Sequence, residues 1–173
     1  MQVLSCGLLV AFALGVGIID LRTRRIPNWL NVSGALAALL LAGLDGTPQL
    51  VSPVLGLAAG LGIGFLLFLM RLLGAGDAKF MGAIGAWAGL SRLPMAFLAM
   101  LAGGALVALV WSWRQRMLKA ALMSTATMVG GAVSGAGTSS PWVGYTAAGR
   151  FPYGVGLGLG AIVWWLLEGC RLI

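Results

Sequence analysis

No charged residue stands between Asp45 and Arg71. From Val51 onward this stretch is almost entirely Leu, Ala, Gly, Ile, Val, Phe and Met. About 20 such residues are what a helix needs to cross the hydrocarbon of a bilayer. Composition extends the point to the whole chain. Only 9% of the 173 residues are charged and 60% are hydrophobic, against about 25% charged in a soluble domain. That supply cannot coat a water-facing surface, so a soluble enzyme is excluded. Glycine, 28 residues, fits the same class, because it lets membrane helices approach closely.

The apolar runs divide into six segments: Gln2 to Ile19 with Asp20 at its end, Trp29 to Leu44, Val51 to Leu73, Ala78 to Leu90, Pro94 to Trp113, and Pro152 to Glu168. The expected fold is an all-α polytopic membrane protein, one domain over residues 1–173. Alternating the segments puts Arg22, Arg24, Arg25, Arg71, Lys79, Arg114, Arg116, Lys119 and Arg150 on one side, nine of the eleven basic residues. Arg92 and Arg171 fall on the other. Positive residues stay cytoplasmic, so both termini are expected on the non-cytoplasmic side. A re-entrant fourth segment would spoil this bias, which favours six spans. The connection at about 114–150 is long. Met117 to Val133 reads as an interfacial helix, and Gly135 to Gly149 as a mobile, Gly/Ser/Thr-rich stretch. Gly56, Gly60 and Gly64, and the run Gly154, Gly156, Gly158 and Gly160, read as helix contacts rather than a nucleotide loop.

The net charge of +7 does not point to nucleic acid, since no basic stripe with interleaved aromatics occurs. Cys6 and Cys170 form no CxxC pair, and there is no histidine. The usual metal-ligand sets are therefore missing from the sequence, and no cofactor or metal is expected.

Chemistry must then come from the four acids. Asp45 lies in a turn, Leu44-Asp45-Gly46-Thr47-Pro48, and Glu168 ends the last segment on the same side. Asp20 and Asp77 remain, both at the cytoplasmic boundary. Each has a structural reading: Asp20 as the partner of Arg24 or Arg25, Asp77 as a helix N-cap. Against these, a carboxylate at a helix C-terminus opposes the dipole, and an N-cap needs no glycines before it. Gly74 and Gly76 suggest close approach of another backbone, such as a peptide substrate. Two nearby carboxyls sharing a proton can activate water and protonate a leaving group.

Gly74-Ala75-Gly76-Asp77-Ala78-Lys79 resembles the GxGD signature of intramembrane aspartyl proteases, in the GxGDxK form of the type IV prepilin peptidases. Asp20-Leu21-Arg22-Thr23-Arg24-Arg25-Ile26-Pro27-Asn28 is similar to that family's first-aspartate motif. Phe151-Pro152-Tyr153-Gly154 resembles its Pro-Tyr-Gly entry to the last helix. The short TadV/CpaA-like form of tight-adherence (Flp) pilus systems is the most similar subgroup. The resemblance implies an aspartic endopeptidase of the bacterial inner membrane that cleaves prepilin and pseudopilin leaders at the cytoplasmic face. It implies Asp20 and Asp77 as the catalytic pair, with Gly74, Gly76, Lys79, Pro27, Asn28 and Tyr153 as motif or substrate-adjacent residues. Membrane lipid is the other partner. No N-terminal methyltransferase domain, and so no methylation, is expected. Two other classes stay open: a small ion- or proton-coupled transporter using the acids as ligands, and a non-enzymatic assembly subunit.

Overall fold

A computed structural model describes residues 2–23, 25–44, 46–70, 72–114 and 153–169. They form five helices: α1 (Gln2–Thr23), α2 (Asn28–Leu44), α3 (Thr47–Leu69), α4 (Ala75–Arg114) and α5 (Tyr153–Gly169). The all-helical expectation holds. The surface helix expected at 117–133 and the mobile stretch at 135–149 lie outside the described residues.

Several boundaries differ from those expected. α1 continues past Asp20 to Thr23, α3 stops at Leu69, and α4 begins at Ala75. Hydropathy marks where a chain is apolar, whereas a helix ends where its backbone bonds end. At the α1 end, Thr23 Oγ1 donates to the carbonyl of Ile19 or of Arg25, each at 2.9 Å. Pro27 then precedes α2, and its carbonyl accepts the Leu30 N–H at 3.2 Å.

The expected fourth and fifth segments are two arms of α4, a 40-residue run broken at Gly89. Gly89 has φ 69° and ψ 170°, in the left-handed half of the map that glycine tolerates best. Ser52 Oγ of α3 accepts the Leu90 N–H at 3.2 Å just past the break. Neighbours on either side show that the chain turns back. In the first arm, Gly85, Met81 and Ala78 meet Gly56, Gly60 and Gly64 of α3 in antiparallel order. In the second arm, Met100 and Gly104 meet Gly160 and Gly156 of α5, again antiparallel. Arg92, just beyond the break, lies 3.9 Å from Glu168 near the end of α5.

The glycine runs are helix contacts, and their spacing sorts them by partner. On α5, Gly154 and Gly158 face Asp20 and Ala13 of α1, while Gly156 and Gly160 face the second arm of α4. Residues four apart share one helix face, so one short helix packs closely against two neighbours. A Cβ at Gly60 would stand 2.8 Å from the Met81 carbonyl oxygen, and one at Gly64 2.6 Å from that of Ala78. The buried core adds Leu9, Val16, Phe80, Met81, Ile84 and Met100.

The outside is apolar: Leu40, Leu44 and Trp113 are 68%, 74% and 75% exposed. Among the described residues, three helical stretches are long and apolar enough to cross a membrane: Leu4–Thr23, Leu50–Leu69 and Ala75–Val110. Asn28–Leu44 and Gly154–Glu168 are apolar but shorter.

Candidate active site

The antiparallel packing brings the C-terminal end of α1 to the starts of α2, α4 and α5. Both aspartates lie there. Asp20 sits in the last turn or so of α1 and Asp77 in the first turn of α4. Asp77 is therefore not an N-cap, because two helical residues precede it; the Ala78 N–H already bonds the Gly74 carbonyl at 3.0 Å. Asp20 and Asp77 are 5% and 9% exposed, the only acids among the buried polar residues described. Ile26, six residues past Asp20, packs against Gly76, the residue before Asp77, so both acids belong to one end of the bundle.

Asp20 Oδ2 accepts the Gly154 N–H at 2.9 Å, and the Val155 N–H also faces this carboxylate. The first N–H groups of a helix have no partner within it, and the dipole favours an anion there. Asp20 thus lies near the end of one helix and caps another. The ion pair weighed for it with Arg25 does not form, and Arg24 lies outside the described residues. A Cβ at position 154 would lie 3.0 Å from the Asp20 carboxyl carbon, so the carboxylate would have to give way to any side chain there.

Asp77 is set by its own loop and by α2. A Cβ at Gly74 would lie 3.0 Å from Asp77 Oδ2, so a side chain there would crowd the carboxylate. A Cβ at Gly76 would lie 3.3 Å from the Ile26 Cβ. The backbone that Gly76 admits is the chain's own, between α1 and α2, rather than a substrate's. Lys79 Nζ donates to Asn28 Oδ1 at 2.7 Å, which joins the two sequence motifs across the site. Pro27 is half-buried beside them. Tyr153 opens α5, one residue ahead of the amide that holds Asp20.

Below the acids the site is apolar. Phe80, a turn beyond Asp77, is fully buried and stacks at a tilt on Phe12, with ring centroids 5.5 Å apart. Trp87 Nε1 donates to the Gly34 carbonyl at 3.0 Å, fixing α2 to α4. One polar residue here escaped the sequence reading. Asn31 is buried in α2, and its Nδ2 donates to the Gly76 carbonyl at 3.2 Å. A lone Asn inside an apolar helix, one turn after Asn28, was the available signal.

The comparison with known families decides the wider assignment. The model of the type IV leader peptidase family matches residues 7–111, which include both aspartates and the loop between Gly74 and Asp77.

The chain belongs to the type IV leader peptidase family.

Among relatives of this family member, the prepilin leader peptidase/N-methyltransferase of Burkholderia pseudomallei (strain 1026b) is 38% identical over 117 residues, covering 63% of this chain and 38% of the relative. The protein of the same name from Pectobacterium carotovorum subsp. carotovorum is 35% identical over 112 residues, covering 60% of this chain and 40% of the relative. That from Escherichia coli (strain K12) is 32% identical over 112 residues, covering 61% and 50%. The matched parts thus span at most half the length of these curated relatives. No solved structure matches the chain. Family membership and three apolar helices of spanning length point to an inner-membrane protein.

Proposed function

We propose that this family member is an aspartic endopeptidase that removes the leader of prepilins at the cytoplasmic face of the inner membrane. The observation that carries the proposal is that Asp20 and Asp77, from helices far apart in sequence, are both buried at one end of the bundle, where Ile26, just past α1, packs against Gly76, the residue before Asp77. Among the described residues neither acid has a cationic partner; buried acids so placed are costly, and a dyad that works on water accounts for that cost.

In this reading one carboxylate takes a proton from water as the water oxygen attacks the scissile carbonyl carbon. The other donates a proton to the carbonyl oxygen. The tetrahedral species then collapses, the C–N bond breaks, and the amine leaves with a proton from the dyad. The Gly154 amide keeps the Asp20 carboxylate from rotating away. The apolar floor of Phe12 and Phe80 keeps bulk water out. The substrate class is a peptide with a basic leader on the cytoplasmic side and an apolar helix in the bilayer. A transmembrane helix resists hydrolysis because its backbone is internally bonded, so cleavage belongs where the substrate leaves the helix.

The topology in this proposal is six crossings, the two arms of α4 counting separately, with both termini outside the cytoplasm. Arg22, Arg25, Lys79 and Arg114 lie toward the end that holds the acids, and Arg92 toward the other, in keeping with the positive-inside rule. The short tight-adherence subtype is part of the proposal. Methylation is left out of it, because the two cysteines form no CxxC pair. Co-expression with candidate prepilins, reading the mass of each pilin N-terminus, tests the function. Loss of the leader with wild type and its retention with Asp77→Asn is the expected result. Intact leaders with every prepilin of the host would overturn it.

A further inference from the structure

We infer that Asn31 is a positioning residue that sets the Asp77 carboxylate through the peptide unit preceding it. The inference rests on the proposed dyad. Asn31 is 4% exposed, and its Nδ2 donates to the Gly76 carbonyl at 3.2 Å. That carbonyl belongs to the same peptide plane as the Asp77 amide, so a pull on it rotates the root of the Asp77 side chain.

A purely structural reading of Asn31 meets two difficulties. Gly76 lies in the first turn of α4, where its carbonyl already faces the N–H four residues on. It does not need a second donor. Asn31 Oδ1 is also buried with no hydrogen-bond partner among the described residues. A carbonyl can only accept, so the amide nitrogen must face Gly76, and flipping the side chain cannot rescue Oδ1. An unpaired buried acceptor weakens a fold. Asn31 is therefore poorly explained as a source of stability and well explained as a fixed donor beside the site. Asn28 grips the same turn of α4 by accepting from Lys79 at 2.7 Å. The start of α2 thus holds this turn at two points, one on each side of Asp77.

The test uses the full chain in detergent and a prepilin that wild type cleaves on co-expression. Asn31→Leu keeps similar bulk without donor or acceptor. Asn31→Asp keeps the shape but places an acid against the carbonyl. Each should lower kcat by roughly ten- to a hundredfold, the range a misplaced group produces, with KM changed less than about twofold. Asn31→Gln, which keeps the amide donor, should retain more activity than either. The thermal midpoint of Asn31→Leu should equal or exceed that of wild type, because the unpaired acceptor is gone. A kcat within about twofold of wild type for Asn31→Leu, or a loss confined to KM, overturns the inference. So does a Leu variant that fails to fold or melts lower, since that is the signature of a structural role. Asp77→Asn runs alongside. If it still cleaves, the dyad itself is wrong. If it is inactive while Asn31→Leu is normal, only the positioning role fails.

Discussion

Two side chains and two glycines define the site at the residue scale. Asp20→Asn and Asp77→Asn should each abolish cleavage while the protein still inserts, because no other acid is buried at that end of the described bundle. Assay of the purified variants on a cleaved prepilin checks this, and near-normal activity in either would end the aspartyl mechanism. Gly154→Val is a sharper probe of geometry. Its new side chain meets the Asp20 carboxyl, so kcat should fall by about a hundredfold with both acids present. Wild-type turnover in that variant would mean that the Gly154 amide does not position Asp20. The acids were legible in the sequence because elimination among so few charged residues leaves a short choice. Gly154 was legible as a packing residue and as the end of the Pro-Tyr-Gly motif but not as the partner of Asp20, since nothing in one sequence says that its N–H faces an acid 134 positions earlier. Asn31 left only a faint mark, a polar residue inside an apolar helix: it falls outside the motifs quoted, and its partner is a backbone carbonyl.

Glycine spacing governs the elements. The stripe on α3 was readable as a contact face from its four-residue repeat, but its partner was not. The repeat on α5 gave no hint that alternate glycines serve different neighbours. Gly60→Val tests the α3 contact. The obstacle is the Met81 carbonyl, a backbone atom that cannot swing aside, so the cost should reach roughly 1–3 kcal/mol or more. A lower thermal midpoint in detergent is the expected reading, and an unchanged midpoint would mean that the helices separate freely there. The break in α4 was half-legible. Hydropathy puts the break between Leu90 and Pro94, whereas the turn is made at Gly89, where the conformation demands it, and the helix resumes before the proline. Helix ends were displaced for a similar reason at Thr23, which stays helical though it is no longer apolar.

Sidedness is the property of the whole molecule that a single charge count predicts. Labelling with a membrane-impermeant thiol reagent tests it, in a background carrying Cys6→Ala and Cys170→Ala. Ser91→Cys, in the exposed turn beside Arg92, should label in intact cells. Thr23→Cys, in the exposed last turn of α1, should label only after the membrane is opened. The reverse pattern would move the site to the other face. The all-helical membrane class followed from charge scarcity alone, because no packing detail is needed to see that such a chain cannot live in water. The close meeting of α1, α2, α4 and α5 did not follow, because it depends on which glycine faces which helix.

The bond between the Asp20 carboxylate and the Gly154 amide also sets an order of events during synthesis. Asp20 leaves the ribosome early, and α5 is the last described helix to follow. Until α5 docks, Asp20 lacks the Gly154 amide that holds it, so the proposed dyad is complete only once the last described helix is in place. A chain arrested before Tyr153 would insert and persist without cutting, and supplying α5 as a separate peptide would be the way to switch it on.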